Sequence, residues 1–173
     1  MRYVRATLDY ALFYDVGTQV QIHGYTDSDW VGSVSDRRFT NGYMFSFGSV
    51  AITWISKKQP IVALLSTEAK YRGAAVVAYE IAWLKMLLQD LEIQVQDLVV
   101  IYCDNISSIQ LAQNLVFHAR MKHIEVHYHF IRERILDGDI DLDYVSTEDQ
   151  VANLFTKALG AEKLRCFRGI LGL

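Results

Sequence analysis

Apolar and polar positions alternate along QVQIHGYTDSDW (residues 19–30) and end on acidic residues, the pattern of a half-buried strand. GYMFSFGS (42–49) and VAITWISKK (50–58) predict two more strands, with Gly48–Ser49 as the hairpin turn. Alternation then gives way to helical spacing. Ser66 or Thr67 caps a helix predicted to run to about Leu91, with Ala69, Val76, Val77, Ile81, Trp83, Leu84 and Leu87 along its apolar side. LVVIYCDN (98–105) is an unbroken apolar run ending in an aspartate, as buried parallel strands are. A short helix (106–114), a longer one (about 122–136) and a strand (139–145) follow. A helix is predicted to open near Thr147, and the tail AEKLRCFRGILGL adds another. This order predicts an α/β fold, a mixed sheet covered by helices.

Composition narrows the class. A chain of 173 residues holds one domain with a sizeable core. With 51% hydrophobic and 21% charged residues, disorder is excluded. No apolar run approaches the roughly 18 residues needed to span a bilayer, and MRYVRATLDY lacks the apolar core of a signal peptide. Cys103 and Cys166 are too few for a disulfide framework and fit no zinc spacing, so an intracellular, reducing setting is expected. A net charge of −3 argues against an autonomous nucleic-acid binder. If the substrate is nucleic acid, a neighbouring domain supplies much of the grip. Basic residues cluster only locally, at Arg37–Arg38, Lys57–Lys58, Arg120 with Lys122, and Arg132 with Arg134.

The acidic residues carry the candidate chemistry. Asp27 and Asp29 are two apart on a strand and project from one face. Asp104 ends the apolar strand, where open α/β sheets place their ligand sites. Carboxylates at two neighbouring strand ends can share divalent cations. Magnesium suits such hard oxygen ligands, and two ions about 3.5–4 Å apart can activate water and stabilise a leaving oxygen. A single strand-end aspartate more often caps a loop; the set in this order points to a site. His123 and His127 lie four apart on a predicted helix, as do Glu125 and His129, a spacing that can hold zinc. No cysteine or distant carboxylate completes that site, so the histidines read as part of an ordinary helix. Trp54 and Trp83 sit in apolar patterns and read as core, whereas Trp30 reads as either core or base-stacking.

Seven segments in order resemble one family. YTDSDWVG, DRRFTNGYMF (36–45), ITWISKKQ (52–59), the stretch around STEAKY, YCDN, FHARMKHIEVHYHFIRE (117–133) and EDQVANLFTKAL (148–159) are similar to the ribonuclease H domain of copia-type LTR retrotransposon polyproteins. RYVRATLDYALFY (2–14) resembles the end of the preceding reverse transcriptase. The resemblance implies a ribonuclease H-like mixed five-stranded sheet flanked by helices. It implies a reverse transcriptase tail over 1–18, the ribonuclease H-like domain over 19–160 and a helical extension over 161–173. It also implies cleavage of the RNA strand of RNA/DNA hybrids by two magnesium ions, with manganese as an alternative, held by an Asp–Glu–Asp–Asp set.

Carried over by position, the first carboxylate is Asp27 and the third Asp104, the two expected metal ligands. The second, a Glu in the family's TEAEY, is Lys70 here. Glu68 is the nearest substitute, but two residues along a helix turn it through about 200°. The fourth, an Asp in the family, is Asn153, which keeps one oxygen and loses the charge. The set therefore drops from four negative charges to two, opposed by one ammonium. The Lys70 ammonium is expected to pair with Asp27 or Asp104 and weaken metal binding. Arg37, Arg38, Lys57 and Lys58 are the expected phosphate contacts, with Asn105 a candidate for the 2′-hydroxyl. The implied partners are an RNA/DNA hybrid and the polyprotein's own reverse transcriptase. The isolated domain is expected to be monomeric and to act in the cytoplasm, in virus-like particles or in the nucleus. Two functions stay open: a hybrid endonuclease, and a catalytically impaired domain that binds hybrid or polymerase without cutting. An integrase-like nuclease fits less well, because its carboxylates are spaced differently.

Overall fold

Strand β1 (Ile22–Asp29) lies at the centre of the sheet, antiparallel to β2 (Arg38–Phe47) on one side. In this computed structural model, residues 11–12, 21–29, 38–62, 66–95, 98–113 and 125–172 are described. β3 (Val50–Val62) forms a hairpin with β2 through Gly48, whose φ of 63° is one that glycine adopts without strain. Helix α1 (Ser66–Asp90) crosses one face of the sheet and returns the chain to β4 (Val99–Cys103). β4 pairs in parallel with β1 on its free side. Helices α2 (Ile106–Gln113) and α3 (Glu125–Leu136) lead to β5 (Ile140–Tyr144), again parallel to β4. A 3-10 turn (Val151–Phe155) and helix α4 (Ala161–Ile170) close the chain. The sheet order is β3-β2-β1-β4-β5, the mixed five-stranded sheet expected.

Among the described residues two larger cores hold the layers. On the α1 side, Tyr71, Ala74, Ala75, Val77, Ala78, Ile81 and Leu84 bury against Tyr43, Phe45 and Ile101, with Ile109 and Ile131 completing the layer. On the other face, Phe167 of α4 packs with Met44, Ala51 and Val151. The apolar tail therefore docks on its own domain.

Three expectations change. No α-helix opens at Thr147; the segment makes turns and then the 3-10 helix. The Gln150 side chain accepts from the Ala152 N–H at 3.2 Å, which closes that short helix at its start. β3 runs past 58 to Val62 and takes in Pro60, which is tolerated because β3 is an edge strand. The register slips between Arg38↔Val62 and Thr40↔Lys58, so the strand bulges where the proline lies. Trp54 and Trp83 are not core: they are 55% and 50% exposed. Trp54 stands on the edge strand, and Trp83 lies on α1 between the buried positions Ile81 and Leu84. Trp30, Arg37, His123 and the first ten residues lie outside the described residues.

Candidate active site

β1 and β4 pair from His23↔Val100 to Thr26↔Cys103. The next residue on each chain is Asp27 and Asp104, so the parallel pairing itself sets the two carboxylates side by side. Asp27 is buried and Asp104 nearly so, with side chains 0% and 3% exposed.

Lys70 projects from the second turn of α1 into this gap. Its Nζ donates to Asp104 Oδ1 and lies 3.3 Å from Asp27 Oδ1. The expected pairing thus forms with both aspartates at once. Gly73, one turn later, explains how the helix gets so close. A Cβ there would lie 2.5 Å from Ser28 Oγ and 2.6 Å from Asn41 Oδ1, a buried pair bonded at 2.8 Å.

The segment 146–157 closes the site from the opposite side. Thr156 Oγ1 donates to Asp27 Oδ2, and Lys157 Nζ stands 3.2 Å from the same oxygen. Lys157 also donates to Asn153 Oδ1 at 2.8 Å, while Asn153 Nδ2 donates to the Thr147 carbonyl at 2.9 Å. Thr147 Oγ1 in turn donates to Asp104 Oδ2 at 3.0 Å. Gly42, opposite Asp27 on β2, makes room for this segment: a Cβ would meet Thr156 Cγ2 at 2.7 Å and Phe155 Cβ at 2.8 Å.

Gln150 fixes the segment to the sheet. Its Nε2 donates to the carbonyls of Thr26 (3.1 Å) and Tyr102 (3.2 Å), one residue before Asp27 on β1 and two before Asp104 on β4. Replacing it with Leu leaves three backbone groups without their partner. At about 1 kcal/mol or more for each buried group, Gln150→Leu is expected to cost roughly 3 kcal/mol in urea unfolding. A loss under about 1 kcal/mol would show that the segment is held by other contacts.

Electrostatics favours the ionised forms of Asp27 and Lys70. Burial acts to raise the Asp27 pKa, but the Thr156 hydroxyl and the Lys70 and Lys157 ammoniums outweigh it and hold the carboxyl below its ordinary value. Burial likewise acts to lower the Lys70 pKa, and its bond to Asp104 and the charges of both aspartates leave it raised. Burial pushes the neighbouring Cys103 thiol up to about 11, so it packs as an apolar group and is no nucleophile.

The remaining candidates fall elsewhere. Glu68 is buried and paired with Arg72 at 3.0 Å along α1. Asn105 Oδ1 accepts from the Ser108 N–H at 2.8 Å and so caps α2. Lys57 and Lys58 are exposed on β3; Lys57 lies in one transverse row with Asn41 and Ser28, and Lys58 in one with Thr40 and Asp29. Arg38, also exposed, opens β2. His129 is exposed, and among the described residues no group of three His, Cys, Asp or Glu is arranged to hold a metal. Sequence reasoning missed Thr147, Gln150, Thr156 and Lys157. The i, i+4 spacing of Asn153 and Lys157 was the available signal for the last of them.

Two dications need several anionic oxygens. Here two carboxylates are balanced by two ammoniums within 3.3 Å of Asp27, so the residues present do not fit a pair of metal ions.

Among the described residues no helix is long and apolar enough to cross a membrane. No family model matches the chain. Over all 173 residues it is 42% identical to the retrovirus-related Pol polyprotein from transposon RE2 of Arabidopsis thaliana and 39% identical to that from transposon TNT 1-94 of Nicotiana tabacum. It spans 12% and 13% of the length of those polyproteins. Among solved structures, the N-terminal RNase H domain of a Mycobacterium tuberculosis protein is similar at a TM-score of 0.60 and 10% identity, over 87% of this chain and 97% of that one. LC11-RNase H1 in complex with an RNA/DNA hybrid is similar at 0.58 and 14% identity, over 79% of this chain and 94% of that one. Prototype foamy virus protease-reverse transcriptase is similar at 0.56 and 12% identity, over 94% of this chain and 22% of that one. Over its whole length the chain is thus similar to a segment of the retrovirus-related Pol polyproteins of plant transposons, and its fold is the ribonuclease H fold.

Proposed function

We propose that the chain is a ribonuclease H-type domain that engages RNA/DNA hybrids beside the reverse transcriptase of a retrotransposon Pol polyprotein, and that its hydrolysis of the RNA strand is weak or absent. The Pol relatives and the hybrid-bound structural neighbour support the substrate class. Asp27 and Asp104, side by side at neighbouring strand ends, are the residues with which such a domain would act. Lys58 and Arg38 share the Asp27 face and are the phosphate contacts that fit a strand crossing β2 and β3 toward Asp27, since adjacent strands are about 4.8 Å apart. Lys57 stands on the opposite face. Arg37 and Asn105 would add contacts at the same end. As an isolated domain the chain would act as a monomer.

The Lys70 ammonium between the two aspartates carries the impaired reading. At an effective dielectric near 20, a dication about 4 Å from an ammonium is repelled by roughly 8 kcal/mol. That repulsion is comparable to what one carboxylate returns at the same distance. Magnesium or manganese, which the family's chemistry would use, must therefore displace Lys70 or bind poorly.

The test is cleavage of a labelled RNA/DNA hybrid by the native chain and by Lys70→Glu/Asn153→Asp. Changes merely supporting a metal site cost about 10–100-fold each. Two at the site itself should cost at least about a thousandfold, so the double variant is expected to cut that much faster. Comparable rates in both proteins would overturn the impaired reading and leave an ordinary hybrid nuclease.

A further inference from the structure

We infer that this site holds a phosphate of the hybrid's backbone without any divalent cation, using Lys70 and Lys157 as fixed positive charges. The inference rests on the hybrid-engaging function proposed above and concerns how that engagement is achieved. Two observations carry it. Lys70 lies inside the carboxylate pair, with 15% of its side chain exposed. Lys157 reaches the far oxygen of Asp27 from the opposite side, and a third of its side chain is open to solvent. Between them the two ammoniums balance the charges of Asp27 and Asp104, so a phosphate approaching them is not met by an uncompensated carboxylate pair. Four uncompensated carboxylates would repel it unless cations came too.

Lys157 is the group placed to make the contact. Among the described residues, two of its three N–H groups point at Asp27 and Asn153, leaving one for a phosphate oxygen. Nearby negative charge is partly masked: Glu148 on the adjoining turn is bound to Lys163 at 2.7 Å, while Asp149 is exposed beside it. Lys58, in the row of Thr40 and Asp29 and so on the Asp27 face, extends the positive charge along β3.

The test is anisotropy of a labelled RNA/DNA hybrid with the full chain, in EDTA and in magnesium at matched ionic strength. The native chain is expected to bind with the same affinity in both, within about twofold. Removing one phosphate contact lowers the slope of log affinity against log salt by about one unit, worth about five- to tenfold near 0.1 M salt. Lys157→Gln should show that loss in both buffers, and Lys157→Arg should largely restore binding. Lys70→Glu/Asn153→Asp should bind well in magnesium only. Native binding that requires magnesium would overturn this inference while leaving the hybrid-engaging function intact. Unchanged binding and salt slope in a folded Lys157→Gln would overturn it equally. Failure to bind hybrid in either buffer would overturn both.

Discussion

Lys70→Glu combined with Asn153→Asp is expected to give a protein whose stability depends on magnesium, a dependence the native chain should not show. In the native chain Lys70 pairs with both Asp27 and Asp104 from within. The double variant removes that ammonium and adds two carboxylates, so four acids face each other with Lys157 as their nearby counterion. In EDTA it should unfold below the native temperature. A ligand at about a hundred times its dissociation constant adds about 2.7 kcal/mol of stability. For a domain of this size that amounts to a rise of roughly 5–10 °C on adding magnesium. Calorimetry in EDTA and in magnesium reads the difference directly. A double variant indifferent to magnesium would mean that residues 70 and 153 do not belong to one site with the aspartates.

Removing the ammonium alone should be the most damaging single change. Lys70→Met keeps the length of the side chain and leaves two buried carboxylates without their shared partner. Breaking a buried ion pair from one side costs about 3–5 kcal/mol, and a loss in that range is expected at neutral pH. The sign of the pH dependence follows from the two shifts. Asp27 is held below its ordinary value of 3.8, so its contribution is present above that value and is lost as pH falls through the lower native pKa. Lys70 is held above its ordinary value of 10.5, so its contribution is present below that value and disappears only in strong base. The native pair is therefore constant across neutral pH. The deficit of Lys70→Met should narrow as acid protonates the carboxylates it leaves exposed to each other. Urea unfolding of both proteins at neutral and acid pH measures this; a deficit that stays constant with pH would assign the loss to packing.

Much of this site was legible in the chain because strand and helix periods are local. The apolar run ending in Asp104, the alternation ending at Asp27 and the helix start at Ser66 place three of the four family positions before any coordinates. Glu68, which helix rotation is expected to turn away, is bound to Arg72. The closing segment was not legible, because distant backbone shapes it. Gln150 bonds to carbonyls on two strands, one of them 124 residues away in sequence, and no local pattern announces such a contact. An α-helix was accordingly expected where a turn and a 3-10 helix form, and Thr156 and Lys157 went unnoticed. Trp54 and Trp83 failed for a different reason. Apolar spacing identifies a face, but only the neighbours decide whether that face is covered.

Calorimetric titration of magnesium into the native chain tests most directly whether ammoniums stand where cations would. With Lys70 and Lys157 in place, no saturable binding of two ions is expected at submillimolar magnesium. Tight uptake of two ions would contradict it, and would mean that Lys70 swings out of the carboxylate pair whenever metal is present.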